Sequence, residues 1–254
     1  MDIQMIVTDL DGTLLRKDKT VSDYTVSVFE RCRKKGIKIV FATARPIRTV
    51  QIMELGIGTD AVVYHNGAVI SINGITHRHI GIEPKTTESL LLETANKYRD
   101  MQISVEIDDI LYANFDVTKV WANTTAIMTD FSDLPDIPAD KIIFVTADKK
   151  TISEIESSLP DGIYMEIVEN QIVMVMNKNA RKRNAVEEVA KHFGLGFGKV
   201  AAFGDDHNDV EMLKDCGTGV AVTNAVDEAK AAADYICGTN DSDGAAKWIE
   251  ENVL

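Results

Sequence analysis

Near the N-terminus the apolar run MIVT leads directly into Asp9-Leu10-Asp11-Gly12-Thr13. A buried strand that ends in two carboxylates is costly unless something neutralises them. A second acidic cluster, GDDHND over residues 204–209, follows the apolar stretch KVAAF. Asp9, Asp205 and Asp209 can together offer oxygen ligands to a hard dication. Mg2+ in particular takes few carboxylates and completes its shell with water and phosphate oxygens. Carboxylates gathered in this way repel one another without a cation. A cation there would also attract a phosphate dianion, and a carboxylate such as Asp9 could then take the phosphoryl group as an aspartyl phosphate. Asp11, two residues on, could protonate the leaving alcohol and later deprotonate the attacking water. Gly12 permits the sharp turn that aims both acids into one space. Thr43 offers phosphate a hydroxyl and a backbone amide, and a lysine would complete the charge clamp.

These residues must be brought together by the elements that carry them. Residues 3–9 read as a buried strand. Ser22 caps a helix whose apolar face includes Tyr24, Val28, Phe29 and Cys32 and which ends at Gly36. Residues 37–43 form a second strand, Pro46 opens a helix to about Leu55, and residues 61–64 form a third strand. Asn73-Gly74 between alternating segments predicts a tight hairpin. A different rhythm follows over residues 83–180: a helix after Pro84, strands at 103–107 and 110–114, and a loop over FSDLPDIPAD. Next come the strand KIIFVT, the helix KKTISEIESSL, and strands 164–168 and 172–176 around Asn170-Gln171. From about Lys182 strand–helix alternation returns to the C-terminus. The order is helix RNAVEEVAKHF, strand KVAAFG, helix NDVEMLKDC, strand GVAV, helix AVDEAKAAA, strand DYIC and helix DGAAKWIEENV.

The predicted fold class is therefore α/β: a doubly wound, Rossmann-like, mostly parallel sheet core of residues 1–82 and 181–254. An α+β cap domain with an antiparallel sheet, residues 83–180, is inserted into it. In such a sheet ligands bind beyond the carboxyl ends of the strands. Four polar clusters fall at those ends: Asp9 with Asp11, Thr43, Asn66-Gly67, and residues 204–209. Each has a plainer reading in isolation, since an aspartate pair caps turns and a threonine caps helices or lines strands. Their convergence on one edge favours a shared site.

Composition narrows the partners. Of 254 residues, 45% are hydrophobic, enough for one large domain or a domain with a smaller companion. With 27 Lys and Arg against 40 Asp and Glu, the formal charge is −13, which disfavours nucleic acid and anionic membranes. A small phosphorylated substrate then needs a local positive site. Three scattered cysteines form neither a disulfide framework nor a zinc pattern, and no segment resembles a signal peptide or a membrane span. A cytoplasmic protein is expected, with monomer as the default state. His77 and His79 on the hairpin lack a third ligand and read as surface residues. FGLGFG follows a helix, so a helix C-cap explains its glycines better than a dinucleotide loop. The methionines of IVMVMN read as sheet packing, and Trp121 belongs either to a core or to a substrate-facing surface.

DLDGTLL, ATAR (residues 42–45), HNG (65–67), GDDHNDVEM, NAVDEAKAAADYI and NDSDGAAKWIEENV, in this order, resemble the haloacid dehalogenase superfamily. The likeness is to its Cof-type sugar-phosphate phosphatases with a C2-type cap, and it covers essentially the whole chain. The resemblance implies Asp9 as nucleophile and Mg2+ ligand, and Asp11 as acid/base that also binds the metal through its backbone carbonyl. It implies Leu10, Thr43, Ala44, Lys182 and Asn208 as phosphate-binding residues, and Asp205 and Asp209 as metal residues, with Asp209 orienting the metal's water shell. Arg183 and Ala44 stand where this family often has glycine. Lys178, Arg181 and Arg183 lie near Lys182 and compete for the lysine role. The expected activity is Mg2+-dependent hydrolysis of small phosphorylated metabolites, mostly sugar phosphates, with a cap that reads the leaving group. Two rivals are a phosphomutase of the same superfamily and a phosphate-responsive regulatory module that stops at phospho-aspartate.

Overall fold

The computed structural model describes residues 2–168 and 171–254 and divides into two compact units, Met1–His79 with Arg181–Leu254, and Ile80–Ala180. In chain order the first unit begins with β1 (Met5–Thr8), α1 (Asp23–Lys34), β2 (Lys38–Ala42), α2 (Ile47–Gln51), β3 (Ala61–Tyr64), β4 (Val69–Ile72) and β5 (Ile75–His79). The second unit contains α3 (Pro84–Lys97), β6 (Gln102–Ile107), β7 (Ile110–Ala113), β8 (Ile127–Met128), β9 (Lys141–Val145), α4 (Lys149–Ser158), β10 (Ile163–Val168) and β11 (Ile172–Asn177). The first unit resumes with α5 (Lys182–His192), β12 (Val200–Gly204), α6 (Val210–Asp215), β13 (Thr218–Val222), α7 (Asp227–Ala232), β14 (Tyr235–Cys237) and α8 (Gly244–Asn252).

The first unit is built on an eight-stranded sheet ordered β14-β13-β12-β1-β2-β3-β4-β5. Every pairing from β14 to β3 is parallel, and the β3–β4–β5 edge is antiparallel. β1 lies between β12 and β2, with Met5 opposite both Val200 and Lys38. All four β1 residues are fully buried, as a central parallel strand covered on both faces requires. β4 and β5 meet at Asn73-Gly74, both left-handed (φ 52° and 79°), which is the geometry of a two-residue type I′ hairpin. The second unit carries a six-stranded sheet ordered β10-β11-β9-β6-β7-β8, antiparallel except for β7–β8. One face of it packs Ile103, Val105, Ile142, Phe144, Val173 and Val175 against α3 and α4 residues such as Leu91 and Ile155.

Local sequence explains most element ends. The Ser22 hydroxyl accepts from Thr25 N–H to cap α1. At the end of α5, Gly194 (φ 71°) donates to Lys191 O, and Leu195 donates to Ala190 O. That pair of bonds is a Schellman C-cap, so FGLGFG is a helix stop, and glycine supplies its left-handed residue. Tyr24 packs against the core from the edge of the apolar face, half-buried with its hydroxyl donating to Glu250 at 2.6 Å, and Thr25 is also buried on that helix. α2 stops at Gln51 rather than near Leu55. Val50 packs on the core but no residue of α2 is fully buried, and the left-handed Glu54 and Gly56 that follow take the backbone out of the helix. The helix expected from Asn208 starts instead as a 3-10 turn, His207–Asp209, closed by a reciprocal Asp206–Asp209 capping box. β8, two residues within a polar stretch, carries no strand signal of its own in the sequence. Of the turn expected at Asn170-Gln171, Asn170 lies outside the described residues. Trp121 packs with Leu111, Ala113, Val117 and Phe115, within an apolar cluster.

Candidate active site

The first unit brings the ends of β1, β2, β3 and β12 to one edge of its sheet. The ladder extends one residue past β1, where Asp9 N–H donates to Phe203 O at 2.9 Å. Asp9 is thereby fixed with its carboxylate beside the loop that follows β12. Ligand oxygens of Asp9, Asp205 and Asp209 lie within 4.8 Å of one another. Among the described residues no other group of His, Cys, Asp or Glu converges in this way.

Lys182, the first residue of α5, is 1% exposed, and its Nζ donates to Asp9 Oδ1 at 2.7 Å and to Asp209 Oδ1 at 2.8 Å. Burial alone would lower its pKa, but the flanking Asp209 and Asp9 carboxylates outweigh that and hold the ammonium charged. Its basic neighbours are occupied elsewhere. Arg183 pairs with Asp215 and Glu187 and lies over the Phe197 ring, Arg181 pairs with Glu211, and Lys178 is exposed in the other unit.

The acids are not equivalent. Burial pushes Asp9 well above the usual carboxylate range, opposed by Lys182 and reinforced by the charges of Asp209 and Asp205. Asp205 is raised to about 6, first by burial and then by Asp209, although the Thr13 hydroxyl that donates to its Oδ1 at 2.7 Å pulls the other way. Asp209 is fully buried and already accepts three hydrogen bonds: Lys182 on Oδ1, and the backbone N–H groups of Asp205 and Asp206 on Oδ2 at 3.0 and 3.2 Å. It therefore shapes the loop that presents Asp205. Full ionisation of the three acids would leave two negative charges against the one ammonium, a deficit that one dication would cancel. The all-oxygen, partly hydrogen-bonded set suits a hard divalent cation.

Asp11 stands apart. Its carboxylate accepts from Arg45 Nη2 and from Lys19 Nζ, each at 2.7 Å, and from Arg45 Nε. Burial raises its pKa, but these bonds overcome that and hold the group down at about 2. Thr43 is buried, and its hydroxyl accepts from Arg45 N–H at 3.1 Å. Ala44 is half-buried between them in sequence, and Leu10 is fully buried. Asn208 Nδ2 donates to Asn66 Oδ1 at 2.9 Å, which ties the β12 loop to the HNG turn after β3.

Sequence reasoning missed three groups. Thr13 and Arg45 sit inside the DLDGT and ATAR motifs, whose spacing by itself assigns them no role. Lys19 lies in a polar turn with no signal of its own. His77 lies 3.6 Å from Glu188 and edge-on to His192, and among the described residues neither it nor His79 belongs to a group of three or more converging potential ligands. No helix of the described residues is long and apolar enough to cross a membrane.

A family model described as haloacid dehalogenase-like hydrolase matches residues 6–249. Two relatives from Bacillus subtilis (strain 168) are both named 5-amino-6-(5-phospho-D-ribitylamino)uracil phosphatase. YitU is 28% identical, covering 97% of this chain and 96% of the relative, and YcsE is 30% identical, covering 100% and 97%. Among solved structures, the HAD subclass IIB sugar phosphatase BT4131 superposes with a TM-score of 0.84 at 22% identity, covering 98% of each chain. This similarity extends over both units, so the α/β core with a second, cap-like sheet is the fold of these phosphatases.

Proposed function

Because the chain belongs to the haloacid dehalogenase-like hydrolase family and is a phosphatase of that family, we propose that it hydrolyses sugar or polyol phosphates in a Mg2+-dependent reaction through an aspartyl phosphate on Asp9. The observation that carries this reading is the Lys182 ammonium bridging Asp9 and Asp209, with Asp205 in the same cluster.

Asp9 and Asp205, with the backbone carbonyl of Asp11 and with Asp209 behind them, would hold Mg2+, which supplies charge to the phosphate oxygens when bound. The remaining steps belong to the chain's own residues. Lys182 occupies Asp9 Oδ1, which leaves Oδ2 as the attacking oxygen. As that oxygen bonds to phosphorus, the ester P–O bond breaks and the departing alkoxide takes a proton from Asp11. Water then attacks the phosphorus while Asp11 removes its proton. Inorganic phosphate leaves, and the Asp9 carboxylate is regenerated. Lys182, the Thr43 hydroxyl, the Leu10 and Ala44 backbone and Asn208 supply donors to the transferring group. Asp11 must carry a proton when the alcohol leaves, yet Arg45 and Lys19 hold it ionised. The phosphate dianion resolves this by drawing Arg45 onto its own oxygens, since a bidentate guanidinium suits phosphate as well as carboxylate.

The substrate class rests on chemistry shared by the two Bacillus subtilis relatives and the structural neighbour described above. Two are named for a phosphate on a ribityl chain and the structural neighbour for a sugar phosphate, so the common element is a phosphate ester on a polyol. The decisive experiment measures phosphate release from p-nitrophenyl phosphate and a panel of sugar and polyol phosphates with Mg2+. Multiple turnover by the wild type and none by Asp9→Asn is expected. Steady turnover by Asp9→Asn, or none by the wild type, would sink the proposal.

A further inference from the structure

Asp205 is held by more than its own strand. Thr13 Oγ1 donates to its Oδ1 at 2.7 Å, and its backbone carbonyl accepts Val226 N–H at 2.8 Å. The segment that carries Val226 begins at Asn224, whose Nδ2 donates to the Gly12 carbonyl at 2.8 Å. That carbonyl and the Thr13 N–H belong to one planar peptide unit, so fixing one sets the direction in which Thr13 leaves the turn. The turn has no slack. Gly12 is left-handed (φ 81°), and a Cβ built on it would lie 2.2 Å from Asp205 Oδ2. The other end of the Asn224 amide is also used: its Oδ1 accepts Asn240 N–H at 3.1 Å. Asn240 is buried, and its own Nδ2 donates to Leu15 O at 2.8 Å, gripping the same loop three residues further on. A carboxamide suits this position because it donates from its nitrogen and accepts at its oxygen at the same time.

We infer that Asn224, backed by Asn240, is a positioning residue for the Asp205 metal ligand. It locks the Gly12–Thr13 peptide so that the Thr13 hydroxyl takes one oxygen of Asp205 and leaves Oδ2 for the cation. The inference rests on the Mg2+-dependent reading above. Groups that orient a metal ligand from behind are commonly worth 10–100-fold in metal affinity.

The test is calorimetric titration of Mg2+ into metal-free wild type, Asp205→Asn, Asn224→Ala, Thr13→Val and the Thr13→Val/Asn224→Ala double variant, with each unfolding midpoint taken in EDTA. Asp205→Asn should lose binding. Asn224→Ala should weaken it about tenfold or more, with an unfolding midpoint in EDTA close to that of the wild type. The double variant should bind no more weakly than Thr13→Val alone, because both act through one hydroxyl. Asn224→Ser, which keeps an acceptor for Asn240 but cannot reach Gly12, is read in the same way if the alanine variant does not fold. An Asn224→Ala affinity within twofold of wild type, or effects that multiply in the double variant, would overturn the positioning role alone. A wild type that binds no Mg2+ would overturn the metal reading and this inference with it.

Discussion

Replacing Lys182 with methionine removes one charge and little volume from the centre of the first unit. The Lys182 and Asp209 side chains are each 1% exposed and that of Asp9 is 7%, so water cannot take over the lost partner. Removing one member of a buried charge pair typically costs about 3–5 kcal/mol, because the carboxylates left behind stay buried and uncompensated. Near pH 8 without metal, Lys182→Met should therefore lose about 3 kcal/mol or more in urea unfolding. Arg183→Met is the internal control: its pairs with Asp215 and Glu187 are partly exposed, and such pairs are worth about 0–1 kcal/mol. The sign of the pH dependence follows. Without the ammonium that now opposes it, the folded-state pKa of Asp9 rises further, so the variant takes up a proton that the unfolded chain does not. Its deficit should then shrink as pH falls from 8 towards 5. Loss of the donor should also slow phosphate release about 10²–10³-fold at saturating substrate. A Lys182→Met deficit no larger than that of Arg183→Met, or one that grows on acidification, would refute the geometry from which the argument starts.

Metal and protons should compete for the same acids. Asp205 is held at about 6, above the ordinary value of 3.8, so in the metal-free protein its contribution to stability is full below pH 3.8 and is lost as pH rises through about 6; Asp9 is raised in the same direction and acts with the same sign. Mg2+ needs these groups ionised, so its gain in Tm should be larger at pH 8 than at pH 5; equal gains would argue against binding at this cluster. Gly12→Ala forces a left-handed alanine and pushes a methyl against Asp205 Oδ2. It should cost about 1–3 kcal/mol in denaturant unfolding and weaken Mg2+ binding in the same preparation. Arg45→Gln should raise the Asp11 carboxyl above its present level of about 2, observable as a shifted carboxyl titration by ¹³C NMR; an unmoved titration would mean that Lys19 alone holds it.

The central strands, the caps and the family were legible along the chain because each depends on near neighbours. A continuous β-branched run such as MIVT suits only a strand buried on both faces. Ser22, Asn73-Gly74 and Gly194 act through bonds that span a few residues. Residue types also announced the chemistry, since acids after two apolar strands are unstable without a cation. Other features depended on contacts the sequence order does not contain. Which of four neighbouring basic residues enters the acidic cluster was decided by the register of α5, whose first residue points inward while Arg181 and Arg183 find surface acids. α2 reads as longer than it is, because none of its residues is fully buried and the left-handed Glu54 that follows takes the backbone out of the helix. The Arg45 grip on Asp11 and the Asn224–Asn240 tie to the Gly12 loop join residues far apart in the chain through surfaces that exist only after the sheet has formed. Sequence determined which groups could do chemistry and on which strands they ride. Only tertiary structure decided which of them share a charge environment, because electrostatic coupling depends on distance and burial, and a linear order specifies neither.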